Sequence, residues 1–187
     1  MASFRLCAVA IALVVVGASC GAQTSVAPEE SVEEWHVLSD AEDGISVRYP
    51  PGWDATTSAL NDVVWPPHHL AVASFALDAA RSDTGCSPVP VVESLPPDSA
   101  FVILFEYTEG PVDESPWVRE VPDRPAHFTL AGARFANYEC YGASYMIRFV
   151  EQRRVFQAHV SFGDDATDET RANALAVLDS LEVAARS

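Results

Sequence analysis

Residues 101–107, with the sequence FVILFEY, place the strongest constraint on how this chain can fold. Both alternating sets of side chains are apolar except at Glu106. A strand with one solvent-exposed face alternates polar and apolar residues, whereas a strand covered on both faces is apolar throughout. We therefore predict a central β-strand, in a sheet that other elements cover on both sides.

A second strand is predicted at residues 45–49, where apolar and polar side chains alternate strictly. Residues 50–53, with the sequence PPGW, fit a type II turn because the second proline presets φ and Gly52 supplies a positive φ. The turn directs Trp53 back onto the core. Residues 35–38 form a shorter strand candidate, so we expect a hairpin with residues 45–49.

The end of the chain predicts a hairpin followed by a helix. Residues 144–150 and 155–162 are strands separated by a connection of hairpin length. In the second strand one set of alternating residues is apolar, whereas Gln157 and His159 belong to the polar set. We expect the polar set, including His159, to face solvent.

The closing helix has a clear beginning and an apolar face. Thr167 is a candidate N-cap, and the acidic residues that follow it complement the positive end of the helix dipole. The apolar face is formed by Ala174, Leu175, Leu178 and Leu181, with Arg171 and Asp179 on the exposed side. This helix should cover the apolar face of the late hairpin and end within residues 180–183.

The intervening segments are less regular. We expect one helical turn within residues 54–61, a strand at 70–77, and two proline-rich loops at 78–97 and 108–125. Short strands are predicted at 127–130 and 135–140. The adjacent His68 and His69 suggest a metal site, but neighbours in an extended segment point to opposite faces, so we expect no metal there.

The overall charge limits the partners that this protein can bind. The 187 residues include 27 acidic side chains against 11 arginines and no lysine, for a formal net charge of -16. Binding to a nucleic-acid backbone requires a basic patch, so we expect no nucleic-acid partner. The absence of lysine, together with abundant Ala, Val, Pro and Arg, is typical of high-GC bacterial coding.

The N-terminal residues indicate export. Arg5 precedes an apolar run at 6–16, which is too short to span a bilayer but suits a signal peptide. Residues 16–21, VGASCG, resemble the lipobox of bacterial lipoproteins, in which the cysteine is diacylated and becomes the new N-terminus. That resemblance implies a lipid anchor on Cys20 at the outer face of the cell membrane. Ordinary signal cleavage, which would release a secreted protein, is the alternative.

The predicted organisation is a signal peptide at 1–19, an acidic tether at 20–34, one folded domain at 35–183 and a short tail at 184–187. The tether is rich in small and acidic residues, which favours a solvated spacer. Of the four cysteines, Cys7 would be removed with the signal peptide and Cys20 would carry lipid. Because two thiols left in an exported domain usually pair, we predict a disulfide between Cys86 and Cys140.

The folded part resembles the Mog1/PsbP-type domain of exported bacterial lipoproteins. The resemblance is carried by the residues 49–53, YPPGW, by the two proline-rich loops and paired late strands, and by the closing helix with its LDSL sequence at 178–181. It implies an α+β fold in which an antiparallel sheet lies between helices. Members of this family usually act as binding or assembly subunits, and the resemblance transfers no catalytic residues and no metal role.

The sequence contains no recognisable catalytic motif. Residues 142–146, GASYM, begin like a nucleophile elbow, but Met146 stands where the second glycine is required. No phosphate-binding loop, dinucleotide fingerprint or zinc-protease motif occurs. We therefore expect a non-enzymatic envelope lipoprotein without a cofactor, which binds an envelope protein or ligand. The alternative is a secreted small-molecule-binding protein or enzyme, with a polar pocket near Trp117 and His127 as candidate ligand contacts.

Overall fold

The computed structural model describes residues 34–57, 60, 68–77, 88–107, 120–138 and 141–185. These residues belong to one compact unit, Glu33–Ser187. The elements are the strands β1 (His36–Asp40), β2 (Ile45–Tyr49), β3 (Asp54–Thr56), β4 (His68–Ala73), β5 (Ala100–Tyr107), β6 (Arg134–Tyr138), β7 (Gly142–Glu151), β8 (Arg154–Phe162) and β9 (Glu182–Val183), and the helices α1 (Pro88–Glu93) and α2 (Asp168–Asp179).

The larger sheet has six strands in the order β3-β4-β5-β8-β7-β6, and every neighbouring pair is antiparallel. β5 is an interior strand, and its residues 100–106 are buried. Its alternating side chains enter two separate cores: Val102 and Leu104 pack on the α2 side, whereas Phe101 and Ile103 pack on the other side with Val91 of α1. The predicted central strand is confirmed.

A smaller antiparallel sheet, in the order β1-β2-β9, contributes to the core on the α2 side. Ile45 and Val47 of β2 pack there with Val177 and Leu178 of α2. The α+β class is therefore confirmed, with an antiparallel sheet, helices against both of its faces and a C-terminal helix over one of them. β9 was not predicted: α2 ends at Asp179, and the residues expected to complete the helix pair with β2 instead.

The predicted turn after β2 is confirmed. The backbone N–H of Trp53 donates to the carbonyl of Pro50 at 3.2 Å, and Gly52 has a φ of 78°. In a type II turn this hydrogen bond joins the fourth residue to the first, and the third residue has a positive φ. Trp53 packs against the core but is only partly buried.

The late hairpin and the closing helix are also confirmed. β7 and β8 are joined by Gln152 and Arg153, both with positive φ, as in the two-residue turn that matches strand twist. The Oγ1 of Thr167 accepts a hydrogen bond from the backbone N–H of Thr170, so Thr167 is the N-cap of α2. Arg171 is not fully exposed, since its guanidinium lies 4.4 Å from the centre of the Phe162 ring.

Two predictions for the irregular segments were wrong, and a third had different bounds. Residues 54–56 form β3 and pair with β4, because the Asp54 carboxylate accepts the backbone N–H of Leu77 and stabilises an extended strand. The loop predicted at 78–97 contains α1, whose prolines occupy its first turn, where a helix needs no N–H donor. The strand expected at 70–77 begins earlier, at His68, and ends at Ala73.

Residues 127–130 do not form the expected strand. The backbone N–H of Phe128 donates to the Asp179 carboxylate at 2.7 Å, and the Phe128 ring is buried against Phe149. Contacts with α2 and the core therefore replace the ladder of a strand. This irregular segment forms one wall of the site described below.

Candidate functional site

The candidate site is a cleft between residues 122–134 and the outer edge of β7, which we call the β7 cleft. Its volume is about 480 Å³. The lining includes Asp123, His127, Phe128, Arg134, Ile147 and Arg148. His127 lines this cavity, whereas Trp117, the other predicted ligand contact, lies outside the described residues.

The cleft exists because other segments pair with the edge of β7 at two places and leave a short stretch of that edge unpaired between them. β6 pairs with β7 as far as Arg134 opposite Met146. Further along β7, a parallel bridge joins Asp123 to Val150. Between these two points the chain of residues 125–133 leaves the sheet edge and returns to it, so the edge beside Arg148 faces the cleft.

The backbone of Arg148 is the exposed part of this edge. The N–H of Val150 donates to the Pro122 carbonyl at 2.8 Å, and the Val150 carbonyl accepts the N–H of Arg124 at 2.9 Å. Because backbone groups two residues apart in a strand point to the same side, the N–H and C=O of Arg148 also point outward. Neither group is bonded to any other residue that the structure describes, so the N–H can donate to a ligand and the C=O can accept from one.

The charge of the cleft contrasts with that of the whole protein. Arg134 and Arg148 line it, and within the described residues neither guanidinium has a carboxylate partner. Among the described residues of the lining, Asp123 is the single acidic one. In a chain with a formal net charge of -16, the cleft therefore brings together two arginines without a carboxylate partner among the described residues, and apolar side chains such as Phe128 and Ile147.

The wall of the cleft is fixed to the end of α2. One terminal nitrogen of Arg124 donates to the carbonyl of Leu181 at 2.7 Å and to the Glu151 carboxylate at 2.8 Å, and the other donates to the carbonyl of Asp179 at 2.9 Å. The Asp179 carbonyl ends α2 and lacks an intrahelical donor, and the Leu181 carbonyl follows two residues later, so a cation beside them is favourable. The cleft is accordingly a preformed feature.

His127 lies at the rim and not at the floor of the cleft. Its side chain is 83% exposed, and its Nδ1 lies 3.3 Å from the second oxygen of the Asp179 carboxylate. An exposed pair of this kind contributes little to stability. The histidine is available to a ligand that enters from the α2 side.

The prediction that His159 faces solvent was wrong. Its side chain is 1% exposed on the α1 side of the sheet, where the Tyr141 ring lies 4.2 Å from it, centre to centre. Nδ1 lies 2.8 Å from the Oγ of Ser144, and the Nε2 of Gln157 donates to the imidazole Nε2 at 2.6 Å. Burial lowers the pKa of His159 to about 3, so the imidazole is neutral at physiological pH.

Ser144 and His159 form a pair that sequence motifs did not reveal. The two residues lie on adjacent strands, with His159 directly opposite Met146, two positions from Ser144. A nucleophilic serine needs a neighbouring base that can accept its proton. Because the imidazole Nε2 accepts from Gln157, Nδ1 carries the ring proton and donates to the Ser144 hydroxyl, so this imidazole is not placed to act as that base. Ser144 is also fully buried, and Tyr141 covers the His159 ring.

The remaining predicted sites are only partly described. Cys20, Cys86 and Cys140 lie outside the described residues. His68 and His69 are in β4, at an irregularity in its pairing with β5. Among the described residues, no group of three or more His, Cys, Asp or Glu side chains is arranged to hold a metal ion. Within the same ranges, no helix has the length and apolar character needed to cross a membrane.

No protein-family model and no curated protein matches this sequence. Among solved structures, the chain is similar to the solution structure of cyanobacterial PsbP (CyanoP) from Synechocystis sp. PCC 6803, with a TM-score of 0.40 and 12% sequence identity. The alignment covers 86% of this chain and 99% of CyanoP. A similarity at this level carries no argument about family or function. The fold class rests on the chain's own strand order, and the Mog1/PsbP relationship stays a prediction.

Proposed function

We propose that this protein is a non-enzymatic, membrane-tethered envelope protein that binds another protein or ligand in the β7 cleft. The observation that carries the proposal is the gap in the β7 edge, where the backbone groups of Arg148 and the guanidinium groups of Arg134 and Arg148 have no partner within the part of the chain that the structure describes. Free donors and acceptors in a preformed concave site are the usual features of a binding site.

The burial of the Ser144 and His159 pair supports binding over catalysis. A nucleophile must reach its substrate, and here the hydroxyl is enclosed by the sheet and by aromatic rings. The pair instead satisfies its own polar groups within the core, as buried polar groups generally do.

A small-molecule-binding protein or an enzyme that uses the same cleft is the second candidate. The cavity and the exposed His127 at its rim favour it. In this case a low-molecular-weight ligand, and not a protein, would compete for the β7 cleft.

The proposed location depends on Cys20. The apolar run at 6–16 and the VGASC sequence before Gly21 support export and acylation. We expect Cys20→Ala to lose membrane association and the added lipid mass, as measured by fractionation and intact mass spectrometry. A mutant that still fractionates with the membrane would contradict the lipid anchor.

The binding proposal is tested by cross-linking in cells. The photoreactive residue p-benzoylphenylalanine is placed at Ala131, in the cleft lining, and separately at Val37, an exposed position on β1. We expect a defined product from position 131 only, and we expect the partner identified in it to bind the purified full-length protein. The same products from both positions, or none from position 131, would count against the cleft as the binding site.

A further inference from the structure

We propose that the ligand of the β7 cleft is an extended peptide segment with an acidic residue between two apolar residues, and that it binds by adding a short strand beside Arg148. This inference rests on the proposed function and specifies its ligand class.

The backbone of β7 provides the first argument. An extended peptide presents one N–H and one C=O to a neighbouring strand at every second residue. Arg148 presents the complementary N–H and C=O. The β7 edge on either side of it is already paired, since Met146 pairs with Arg134 and Val150 pairs with Asp123. One peptide residue placed opposite Arg148 would complete the missing step of the ladder.

The length of the gap sets the length of the segment. The four residue steps from Met146 to Val150 span about 13 Å at roughly 3.3 Å per residue. The ends of this span are taken by Arg134 and Asp123. Room remains for about three peptide residues, opposite residues 147–149.

The faces of β7 set the order of side chains. Met146 and Arg148 lie on one face of the strand, and Arg134 is directly opposite Met146, so the two arginines share that face. A peptide residue opposite Arg148 projects to the same face, where an acidic side chain forms a cross-strand pair with the guanidinium.

The flanking peptide residues project to the other face of the sheet. Ile147 packs there against the core that contains Phe128, and both residues line the cleft. Apolar side chains on the two flanking peptide residues would cover Ile147 and Phe128. The preferred order is therefore apolar, acidic, apolar.

The probe is the capped tripeptide acetyl-Val-Glu-Val-amide, added to the full-length protein labelled with nitrogen-15. We expect saturable binding, with slowing of hydrogen exchange at the Arg148 amide by at least about tenfold. Phe149 should show no such change, because its amide faces β8 by strand alternation. An Arg148 amide that is already as protected as that of Val150 without peptide would overturn the proposal.

Two matched probes separate charge from strand pairing. The peptide with Lys in place of Glu tests the charge, and the peptide with an N-methylated central residue lacks the required N–H. We expect both to bind at least about tenfold more weakly. If the N-methylated probe binds as tightly as the unmethylated peptide, the strand addition is overturned. This comparison requires no mutant protein.

A variant pair completes the test. Arg148→Gln should abolish the preference for Glu over Lys, whereas Arg153→Gln, which removes the same charge in the β7–β8 turn outside the cleft, should retain it. If no peptide binds while position 131 still cross-links to a defined partner, the peptide inference fails and the proposed function stands. If both fail, the cleft is not a binding site.

Discussion

The Arg154 guanidinium binds the Glu106 carboxylate through two hydrogen bonds inside the sheet, from Nε to Oε1 at 2.9 Å and from the terminal nitrogen to Oε2 at 2.6 Å. The two residues are 5% and 2% exposed. The other terminal nitrogen donates to the carbonyl of Asp43 at 2.8 Å. Arg154 therefore connects the larger sheet to the β1–β2 hairpin.

Arg154→Met should strongly destabilise the fold, because it leaves the buried Glu106 carboxylate without its cation. Breaking one side of a buried ion pair costs about 3–5 kcal/mol. The free energy of unfolding, measured in urea, checks this expectation. The double mutant with Glu106→Gln should be less destabilised than Arg154→Met alone. If Glu106→Gln instead adds its full separate cost, the two side chains are not coupled.

The buried His159 should make stability depend on pH. The unfolded chain binds a proton near pH 6.5, whereas burial keeps the folded imidazole neutral down to about pH 3. The stability is therefore complete above pH 6.5 and falls as the pH drops toward 3, at up to about 1.4 kcal/mol per pH unit. We expect His159 to account for a loss of about 2 kcal/mol between pH 7 and pH 5.

Urea unfolding of the native protein and of His159→Gln at the two pH values measures this contribution. The variant should be less stable at pH 7 but should lose less stability on acidification. His127→Gln is the matched control, since that side chain is exposed, and it should retain the native pH dependence. Identical pH dependence in His159→Gln and the native protein would contradict the assignment.

Arg124→Met should weaken the end of α2 and the wall of the β7 cleft together. The substitution removes charged hydrogen bonds to the carbonyls of Asp179 and Leu181. Bonds to charged groups each contribute roughly 1.5–3 kcal/mol when buried, and this site is only partly buried, so we expect a loss of about 1–3 kcal/mol.

Hydrogen exchange at the last turn of α2 and thermal unfolding measure the effect of Arg124→Met. Arg134→Met serves as the control, because its guanidinium has no carboxylate partner in the described part of the chain. That variant should change the stability by less than about 0.5 kcal/mol. Equal effects in the two variants would remove the role assigned to Arg124.

The predicted disulfide between Cys86 and Cys140 has a direct chemical test. Alkylation followed by intact mass analysis should show both thiols blocked before reduction and free after it. The bond would enclose 53 residues, for which the loop-entropy model gives a stabilisation of roughly 4 kcal/mol. Two free thiols in the native protein would exclude the bond.

The sequence correctly predicted those elements whose backbone conformation depends on residues close together in the chain. The alternation in residues 45–49, the glycine of the turn that follows and the Thr167 cap each specify their own backbone, and the structure contains them. The apolar character of β5 also indicated layers on both faces of the sheet. Local propensity and burial agree in these segments, so a short stretch of chain is sufficient.

Trp53 and His159 show where local information was insufficient. The sequence correctly predicted that Trp53 packs onto the core, but not how much of it stays exposed, and it predicted a solvated histidine where His159 is enclosed. Strand alternation correctly separates the two faces of β8, but it does not say what covers each face. Tyr141, 18 residues before His159 in the chain, decides that the polar face is buried.

The β7 cleft was decided by tertiary structure. His127 was predicted as a candidate ligand contact and lines the cleft. The gap beside Arg148, however, arises only because Asp123 pairs with Val150 and Arg134 pairs with Met146. Arg124 then fixes the intervening chain to the end of α2, more than 50 residues away. The sequence by itself determined β2, β5, the β7–β8 hairpin, the Thr167 cap and the α+β class. The fold alone determined which backbone groups are left unpaired, because pairing depends on contacts between segments that are distant in the chain.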